Sequence, residues 1–227
     1  MSQIKQAVIL SAGLGTRLRS VVKDIPKVMA PFEGKPILEH HIEQFKKHGV
    51  TEFFINLHYL PDVITNYFGD GSKWGVRMDY FLETPDILGT AGGMKDFDGK
   101  LDENFFLMYG DMFSLVDYKK MGEEFLRRSK HAAMVLIGPT DHPADSDLLE
   151  ADTDMRFKKI WQKPHAEMPA TNLSMLAAYV FNRRALSYIP ERTYYEIDHQ
   201  LLPDLISKGE IVSGYTSDDY IMDIGTP

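Results

Sequence analysis

The sequence predicts an α/β fold: one domain with a mostly parallel, mixed central sheet and helices on both of its faces. Short apolar runs alternate with segments of helical periodicity through about residue 138, and short connections join them. Strand–helix–strand units place their strands in parallel and their helices on the faces of the sheet. After about residue 139 the pattern changes to paired short strands. We expect these to add antiparallel strands to an edge of the same sheet.

Hydrophobic periodicity and terminal glycine or proline residues delimit the elements of the first half. Strands are predicted over residues 6–10, 52–57, 76–82, 105–109 and 132–137. Helices are predicted over residues 36–48, 62–68 and 117–129. Pro36 suits the first turn of the first helix, and Gly49 ends it. Ligands of open α/β sheets bind beyond the carboxyl ends of the strands, so the loops after residues 10 and 109 are the strongest candidates for a site.

The second half is predicted to complete the same domain. Paired short strands are expected within residues 145–163, and further strands over residues 176–181 and 211–215. A helix is expected over residues 197–207, beginning near Asp198. The domain, residues 1–227, therefore has two parts that meet near residue 138.

Composition excludes several classes of protein. The 227 residues are 44% apolar and 11% aromatic, which is enough for one sizeable core. The absence of cysteine excludes disulfides, thiolate zinc sites and a cysteine nucleophile. A net charge of −8 with dispersed basic residues argues against a nucleic-acid binder, which would carry a basic face. No apolar stretch is long enough for a membrane span or a signal peptide, so we expect a cytoplasmic protein without membrane partners.

A glycine-containing loop follows the first strand directly. Gly13 and Gly15 let the backbone approach a phosphate closely, and amides in such a loop can point at the anion. Glycines at a strand–loop junction also serve turn geometry alone, and the two interpretations are evenly balanced on this loop by itself. The dinucleotide fingerprint is excluded because Leu18 stands at its third glycine, and the P-loop is excluded because Gly-Lys-Ser/Thr is missing.

Together with the segment at residues 26–29, the loop resembles a known family, the sugar-1-phosphate nucleotidylyltransferases. Their opening signature is L-x-G-G-x-G-T-R-L, followed after a spacer by P-K-P-(L/M). Residues 10–18 and 26–29 carry this signature, with Ala12 in place of a glycine and Val28 in place of the second proline. Further matches are L-G-T-A-G at residues 88–92, G-D at 110–111, the E-K-P segment at 162–164 and D-I-G-T-P at 223–227.

The resemblance implies a Rossmann-like, GT-A-like nucleotidyltransferase domain that transfers a nucleoside monophosphate from a nucleoside triphosphate to a sugar 1-phosphate and releases pyrophosphate. Residues 1–138 would bind the nucleotide and residues 139–227 the sugar phosphate. Residues 20–31 are most similar to bacterial heptose- and mannose-1-phosphate guanylyltransferases, which implies GTP as the donor. A relative that uses UTP, dTTP or CTP, and a non-catalytic nucleotide-sensing relative, are the alternatives.

The resemblance also assigns roles to individual residues. The residues implied in nucleotide binding are Leu10, Ala12, Gly13, Gly15, Thr16, Gly89 and Thr90. Arg17 would contact the β- and γ-phosphates, Lys27 the α-phosphate and Lys163 the acceptor phosphate. Asp111 and Asp223 would hold Mg²⁺, a hard cation that prefers oxygen ligands.

Three features leave recognition of the acceptor open. Gln162 replaces the family's glutamate, and residues 176–178 replace its N-A-G, for which Asn172 lies nearby as a substitute. Residues 194–196, Tyr-Tyr-Glu, line the acceptor pocket or form a surface aromatic cluster.

The assembly of the protein also remains open. Relatives usually continue beyond Pro227, so the chain could be part of a longer multidomain protein. A homodimer is the other possibility.

Overall fold

The computed structural model of the protein describes residues 3–13 and 25–223, without the side chain of Asp223. The strands are β1 (Gln6–Leu10), β2 (Pro31–Phe32), β3 (Lys35–Pro36), β4 (Glu52–Leu57), β5 (Arg77–Leu82), β6 (Asn104–Tyr109), β7 (Met112–Ser114), β8 (His131–Pro139), β9 (Leu148–Ala151), β10 (Phe157–Trp161), β11 (Leu173–Asn182), β12 (Ile211–Thr216) and β13 (Ile221–Asp223). The α-helices are α1 (Ile37–Lys47), α2 (Pro61–Phe68), α3 (Gly89–Lys95), α4 (Tyr118–Arg127) and α5 (Leu202–Ser207).

Nine strands of the described chain form one mixed sheet, and its main path runs β10-β9-β11-β6-β1-β4-β5. The pairs of β1 with β4 and β6, and of β4 with β5, are parallel. Strand β11 enters antiparallel between β6 and β8, and β12 then pairs in parallel with β8. The predicted fold class is therefore confirmed, including the antiparallel strands that the second half adds.

Side chains of successive residues in the central strands enter two different cores, because strand side chains alternate between the faces of a sheet. Ala7 and Ile9 belong to one core, whereas Val8 between them belongs to the other. The first core also takes buried residues of α1, α2 and α4, and the second takes those of α3 and α5. Helices thus cover both faces, as predicted. None of the helices within residues 3–13 and 25–223 has the length and apolar character to cross a bilayer.

The second half differs from its prediction in two local features. The strand predicted over residues 176–181 extends from Leu173 to Asn182 and carries a bulge between Met175 and Tyr179. Within this bulge Ala177 has a φ of 54°, a left-handed conformation that apolarity alone does not predict. The helix predicted over residues 197–207 begins with a π-helical turn, Ile197–Leu201, before α5.

A carboxyl group joins this π-helical turn to the sheet. The Tyr109 hydroxyl donates to Asp198 Oδ2 at 2.9 Å, and the Tyr179 hydroxyl donates to Asp198 Oδ1 at 2.7 Å. Burial raises the pKa of Asp198 to about 6, even though both tyrosine hydrogen bonds act to lower it. Asp198 therefore fixes the turn over the carboxyl end of β6 and over its neighbour β11.

Gly89, the first residue of α3, lies where no side chain fits. Its φ is +76°, and a Cβ there would lie 2.7 Å from the carbonyl oxygen of Tyr195. The amides of Ala91 and Gly92 donate to that same oxygen at 2.9 and 3.1 Å. The glycine thus allows the segment before the π-helical turn to cap the N-terminus of α3.

Replacement of Gly89 by alanine should destabilise the fold more than the same change at Gly99. Gly99 has a similar φ of +91°, but nothing lies within 4 Å of a Cβ placed there. Both variants carry the strain of a left-handed alanine, and only Gly89→Ala adds the clash with Tyr195. We expect Gly89→Ala to lower the free energy of unfolding in urea by about 1–3 kcal/mol more than Gly99→Ala. Equal losses in the two variants would contradict the close packing of α3 against Tyr195.

The raised pKa of Asp198 predicts how stability depends on pH. Between pH 4 and 6 the folded protein holds a proton that the unfolded chain has released. The stabilisation from this proton is complete below the ordinary carboxyl pKa of 3.8, and it is lost as the pH rises through about 6. Asp198→Asn has no such proton to lose, so it should gain stability relative to the unmodified protein from pH 4 to pH 7, by roughly 2 kcal/mol. Urea unfolding across that range measures this difference, and a difference that does not change with pH would contradict the burial of the carboxyl.

Candidate active site at the carboxyl ends of the parallel strands

A cavity of about 220 Å³ lies beyond the carboxyl ends of β1, β4 and β6. It is lined by Leu10, Ser11, Ala12, Gly13, Lys27, Val28, Asn56, Ile87, Gly89, Thr90, Tyr109, Asp111, Tyr194 and Glu196. The parallel strands meet at this edge of the sheet, as the crossover connections require. The two loops that the sequence analysis selected therefore both open into one cavity.

Lys27 and Asp111 form an ion pair at the wall of the cavity. Lys27 begins the short 3₁₀ turn Lys27–Met29, and Asp111 follows β6 after Gly110. Lys27 Nζ lies 2.5 Å from Asp111 Oδ2, with 12% of the lysine side chain and 33% of the aspartate side chain exposed. The pairing brings a fixed cation and an oxygen ligand into the cavity, 84 residues apart in sequence.

Gly110 fixes the position of Asp111 because the pairing of β1 with β6 continues one residue past the end of β6. Its amide donates to the Leu10 carbonyl at 2.9 Å. A Cβ on Gly110 would lie 2.7 Å from that oxygen and 2.5 Å from Val28 Cγ1. Behind it, His41 Nε2 lies 3.2 Å from the Gly110 carbonyl, and burial lowers the pKa of His41 to about 4. His41 is therefore neutral at pH 7 and supports the loop without adding charge to it.

A chain of buried polar groups supports the start of the glycine loop. The Ser11 amide donates to Asn56 Oδ1 at 2.6 Å, and Asn56 Nδ2 donates to Glu83 Oε1 at 2.6 Å. Glu83 Oε2 accepts from the Leu88 amide at 2.7 Å, and burial raises the pKa of Glu83. The Ser11 hydroxyl, buried at the cavity wall, has no hydrogen-bond partner within the described ranges 3–13 and 25–223. The start of the loop is thus held by hydrogen bonds from β4 and from the segment after β5.

The opposite wall joins the start of α3 to the segment before the π-helical turn. The Tyr195 amide donates to the Leu88 carbonyl at 2.9 Å, and the Ile197 amide donates to Thr90 Oγ1 at 2.8 Å. These bonds bring Tyr194 and Glu196 into the cavity, while the Tyr195 ring between them is 9% exposed. Tyr194 and Glu196 therefore line this cavity, and their assignment to the acceptor stays a prediction.

Glu196 lies at the cavity end of a row of three ionisable side chains that are in contact with one another. Its Oε2 lies 3.2 Å from His199 Nδ1, and His199 Nε2 lies 2.7 Å from Asp147 Oδ2. Burial lowers the pKa of His199, but hydrogen bonding and charge from Asp147, together with the charges of Glu196 and Asp198, outweigh it and raise the pKa above 6.5. The row connects the cavity with the segment before β9.

Lys163, the residue matched to an acceptor-phosphate lysine, lies outside the cavity lining. Its Nζ donates to the Asp145 carbonyl at 2.7 Å, and its amide donates to Asp147 Oδ1 at 3.0 Å. The neighbouring Gln162 donates to the carbonyl of His199 at 2.8 Å. Lys163 is therefore connected to the cavity through Asp147 and His199 rather than by direct contact.

The structure brings together most of the remaining residues that the resemblance assigned. Those lining the cavity are Leu10, Ala12, Gly13, Lys27, Gly89, Thr90 and Asp111. Gly15, Thr16 and Arg17 lie outside the described residues. The backbone of Asp223 pairs with Met112, next to Asp111, whereas its side chain is not described. Within residues 3–13 and 25–223, no group of three or more acidic or histidine side chains forms a ready-made metal site.

Sequence reasoning missed several lining residues. These are Ser11, Val28, Asn56, Ile87 and Tyr109. A signal for Asn56 was present, since a polar residue near the carboxyl end of a buried parallel strand points to the ligand edge. For Ile87 the sequence held no such signal.

Comparisons with known proteins identify the family of the chain. The family model described as Nucleotidyl transferase matches residues 6–227. The D-glycero-alpha-D-manno-heptose 1-phosphate guanylyltransferase of Campylobacter jejuni is 32% identical over 224 residues, which are 98% of this chain and 95% of that protein. The UTP--glucose-1-phosphate uridylyltransferase of Synechocystis sp. is 29% identical over 97% of this chain, and the alignment spans only 60% of that relative's length.

A solved structure gives the same result. HddC from Yersinia pseudotuberculosis superposes with a TM-score of 0.82 at 26% identity, covering 99% of this chain and 95% of that one. A second structure of HddC, complexed with GMP-PN, has a TM-score of 0.79. The family match includes every residue that lines the cavity and all nine described strands of the sheet. The chain therefore belongs to the nucleotidyl transferase family.

Proposed function

We propose that the protein transfers a nucleoside monophosphate from a nucleoside triphosphate to a sugar 1-phosphate, with release of pyrophosphate. The observation that carries this proposal is the Lys27–Asp111 pair, which lies in one cavity with the glycine loop and with Gly89 and Thr90. A nucleotide phosphate that enters this cavity meets a cation, loop backbone and an oxygen ligand together. We assign the nucleotide to the part before residue 138 and the sugar phosphate to the part after it.

The chemistry needs little more than alignment and charge neutralisation. The attacking group is a phosphate oxygen of the sugar 1-phosphate, and a phosphomonoester with a second pKa of about 6 is mostly dianionic at neutral pH. No general base is therefore required. Lys27, held in place by Asp111, would neutralise charge that builds on the transferring phosphoryl group. Arg17, in the loop beyond Gly13, would contribute in the same way at the pyrophosphate.

Asp111 and Asp223 would hold the Mg²⁺ ion. The donor set fits this metal, because Asp111 offers an exposed carboxylate in the cavity and the backbone of residue 223 runs beside residue 112. Mg²⁺ is usually bound by one or two carboxylates, with substrate phosphates and water completing its shell. When bound, the ion supplies positive charge to the phosphates.

We propose GTP as the donor and a heptose or mannose 1-phosphate as the acceptor. The similarity over nearly the full length of the Campylobacter jejuni heptose 1-phosphate guanylyltransferase supports this choice, as does the GMP-PN complex of HddC. The Synechocystis relative, named for UTP and glucose 1-phosphate, supports the alternative of a uridylyltransferase. A non-catalytic nucleotide sensor would bind a nucleotide and release no pyrophosphate.

Removal of the Asp111 carboxylate tests the proposed function. We expect pyrophosphate release from GTP, Mg²⁺ and mannose or heptose 1-phosphate to fall by about 10²–10³-fold in Asp111→Ala and Asp111→Asn, and to stop when the metal is chelated. Asp79→Ala is the matched control, because Asp79 is similarly exposed at 34% and pairs with Lys100 outside the cavity. UTP, dTTP and CTP in the same assay decide the donor.

Two outcomes would contradict the proposal. Full turnover in Asp111→Asn would remove Asp111 from the site. Binding of a nucleotide without turnover, with every sugar 1-phosphate and nucleotide offered to the unmodified protein, would favour the sensor.

A further inference from the structure

We propose that Glu196 recognises the acceptor by binding two neighbouring hydroxyl groups of its pyranose ring, and that His199 and Asp147 position Glu196 for this role. This inference rests on the proposed function and extends it to the class of acceptor: a pyranose 1-phosphate with a free vicinal diol. Gln162, at the family's glutamate position, donates a hydrogen bond to His199 instead of offering a carboxylate. Glu196, in contrast, is a carboxylate that lines the cavity.

Glu196 is oriented on both of its oxygens and is still available to a ligand. Its Oε1 accepts from the Tyr194 hydroxyl at 2.7 Å, and its Oε2 lies 3.2 Å from His199 Nδ1. The side chain lines the cavity and is 34% exposed. Since each carboxylate oxygen can accept two hydrogen bonds, one acceptor position remains on each oxygen. Two neighbouring hydroxyls match this pair of acceptor positions.

The chemistry of the cavity selects hydroxyls as the partner. An ionised carboxylate only accepts hydrogen bonds, and phosphate oxygens of the substrates have few protons to donate at neutral pH. Glu196 would repel a phosphate placed against it, whereas a hydroxyl donates to it directly. The part of the ligand that lies against Glu196 is therefore a hydroxyl-bearing ring.

The position of Glu196 in the sheet selects the acceptor sugar over the ribose of the nucleotide. Asp198, two residues further on, is fixed over β6 and β11, on the side of β1 away from β4. The Asn56–Glu83 support of the glycine loop lies on the β4 side. Beyond His199, Asp147 contacts both His199 and the backbone amide of Lys163. Lys163 lies in the part of the chain that is proposed to bind the acceptor.

Replacement of Glu196 by glutamine should impair use of the acceptor alone. Glu196→Gln keeps the size of the side chain and removes its charge and one acceptor oxygen. We expect kcat/KM for the sugar 1-phosphate to fall by about 10–100-fold, while the KM for the nucleotide changes by less than about twofold. A dideoxy analogue of the sugar 1-phosphate that lacks both hydroxyls of the diol should be used equally by the variant and by the unmodified protein, because it makes neither hydrogen bond to residue 196. A rise in the nucleotide KM that 2′-deoxy-GTP abolishes would assign Glu196 to the ribose and overturn the inference.

His199→Asn and Asp147→Asn test the positioning role. Each should raise the KM for the sugar 1-phosphate several-fold with little change in kcat, and neither should add to the effect of Glu196→Gln. His142→Asn is the control, since His142 is an exposed histidine outside the cavity lining. Loss of thermal stability without a change in that KM would reduce both residues to a structural role.

Equilibrium binding separates this inference from the proposed function. Titration calorimetry of mannose or heptose 1-phosphate, with the α,β-methylene analogue of GTP (GMPCPP) present, measures acceptor binding without turnover, because the bond that the reaction breaks is replaced in this analogue. Tight binding that Glu196→Gln weakens at least tenfold supports the inference, whether or not the unmodified protein releases pyrophosphate. Equal binding by the variant overturns the inference and leaves the proposed function intact. Failure of the unmodified protein to bind any pyranose 1-phosphate overturns both.

Discussion

The rest of the site depends on how closely β1 and β6 approach each other at their carboxyl ends. The Gly110 amide donates to the Leu10 carbonyl at 2.9 Å, so the parallel pairing continues one residue past the end of β6. A side chain at residue 110 would collide with that carbonyl and with Val28. This contact between the two backbones places Asp111 within reach of Lys27. One backbone hydrogen bond and the absence of a side chain at Gly110 therefore position Asp111, the candidate metal ligand, next to Lys27, the candidate phosphate-binding residue.

The other wall of the cavity is built by polar contacts rather than by strand pairing. Backbone groups of Tyr195 bond Leu88, Ala91 and Gly92, and Asp198 takes two tyrosine hydroxyls from the sheet. These groups are desolvated, as the raised pKa of Asp198 shows. A buried polar group left without its partner costs about 1–3 kcal/mol, so the segment has few alternative positions. A wall that binds a hydroxylated ring, as proposed for Glu196, would benefit from this rigidity, since few side chains would have to become ordered on binding.

The sequence predicted the main strands and helices of the first half, because the two cores impose a clear alternation on residues such as Ala7, Val8 and Ile9. It did not predict α3 or the short strands β2, β3 and β7. Short motifs located half of the residues that line the cavity. What it could not predict are contacts between distant residues: Ser11 with Asn56 across 45 residues, and Asp147 with His199 across 52. No local pattern encodes such pairs. The bulge around Ala177 could not be predicted for the same reason, since its left-handed backbone lies where the register of β11 shifts against the distant strand β8.

The charge of the cavity favours a neutral ligand at its second wall, which holds Glu196. Among the described lining residues there is one cation, Lys27, against two carboxylates, Asp111 and Glu196. Binding of the two proposed polyanionic substrates by a protein of net charge −8 would require added positive charge, which the proposed metal ion and Arg17 would supply. That compensation is short-ranged, since charges are screened over about 8 Å in physiological salt. Glu196 belongs to the other wall, where its Oε2 lies 3.2 Å from His199 Nδ1. A carboxylate held there by a histidine is suited to accept hydrogen bonds from a neutral ring, and it would act against the binding of a phosphate.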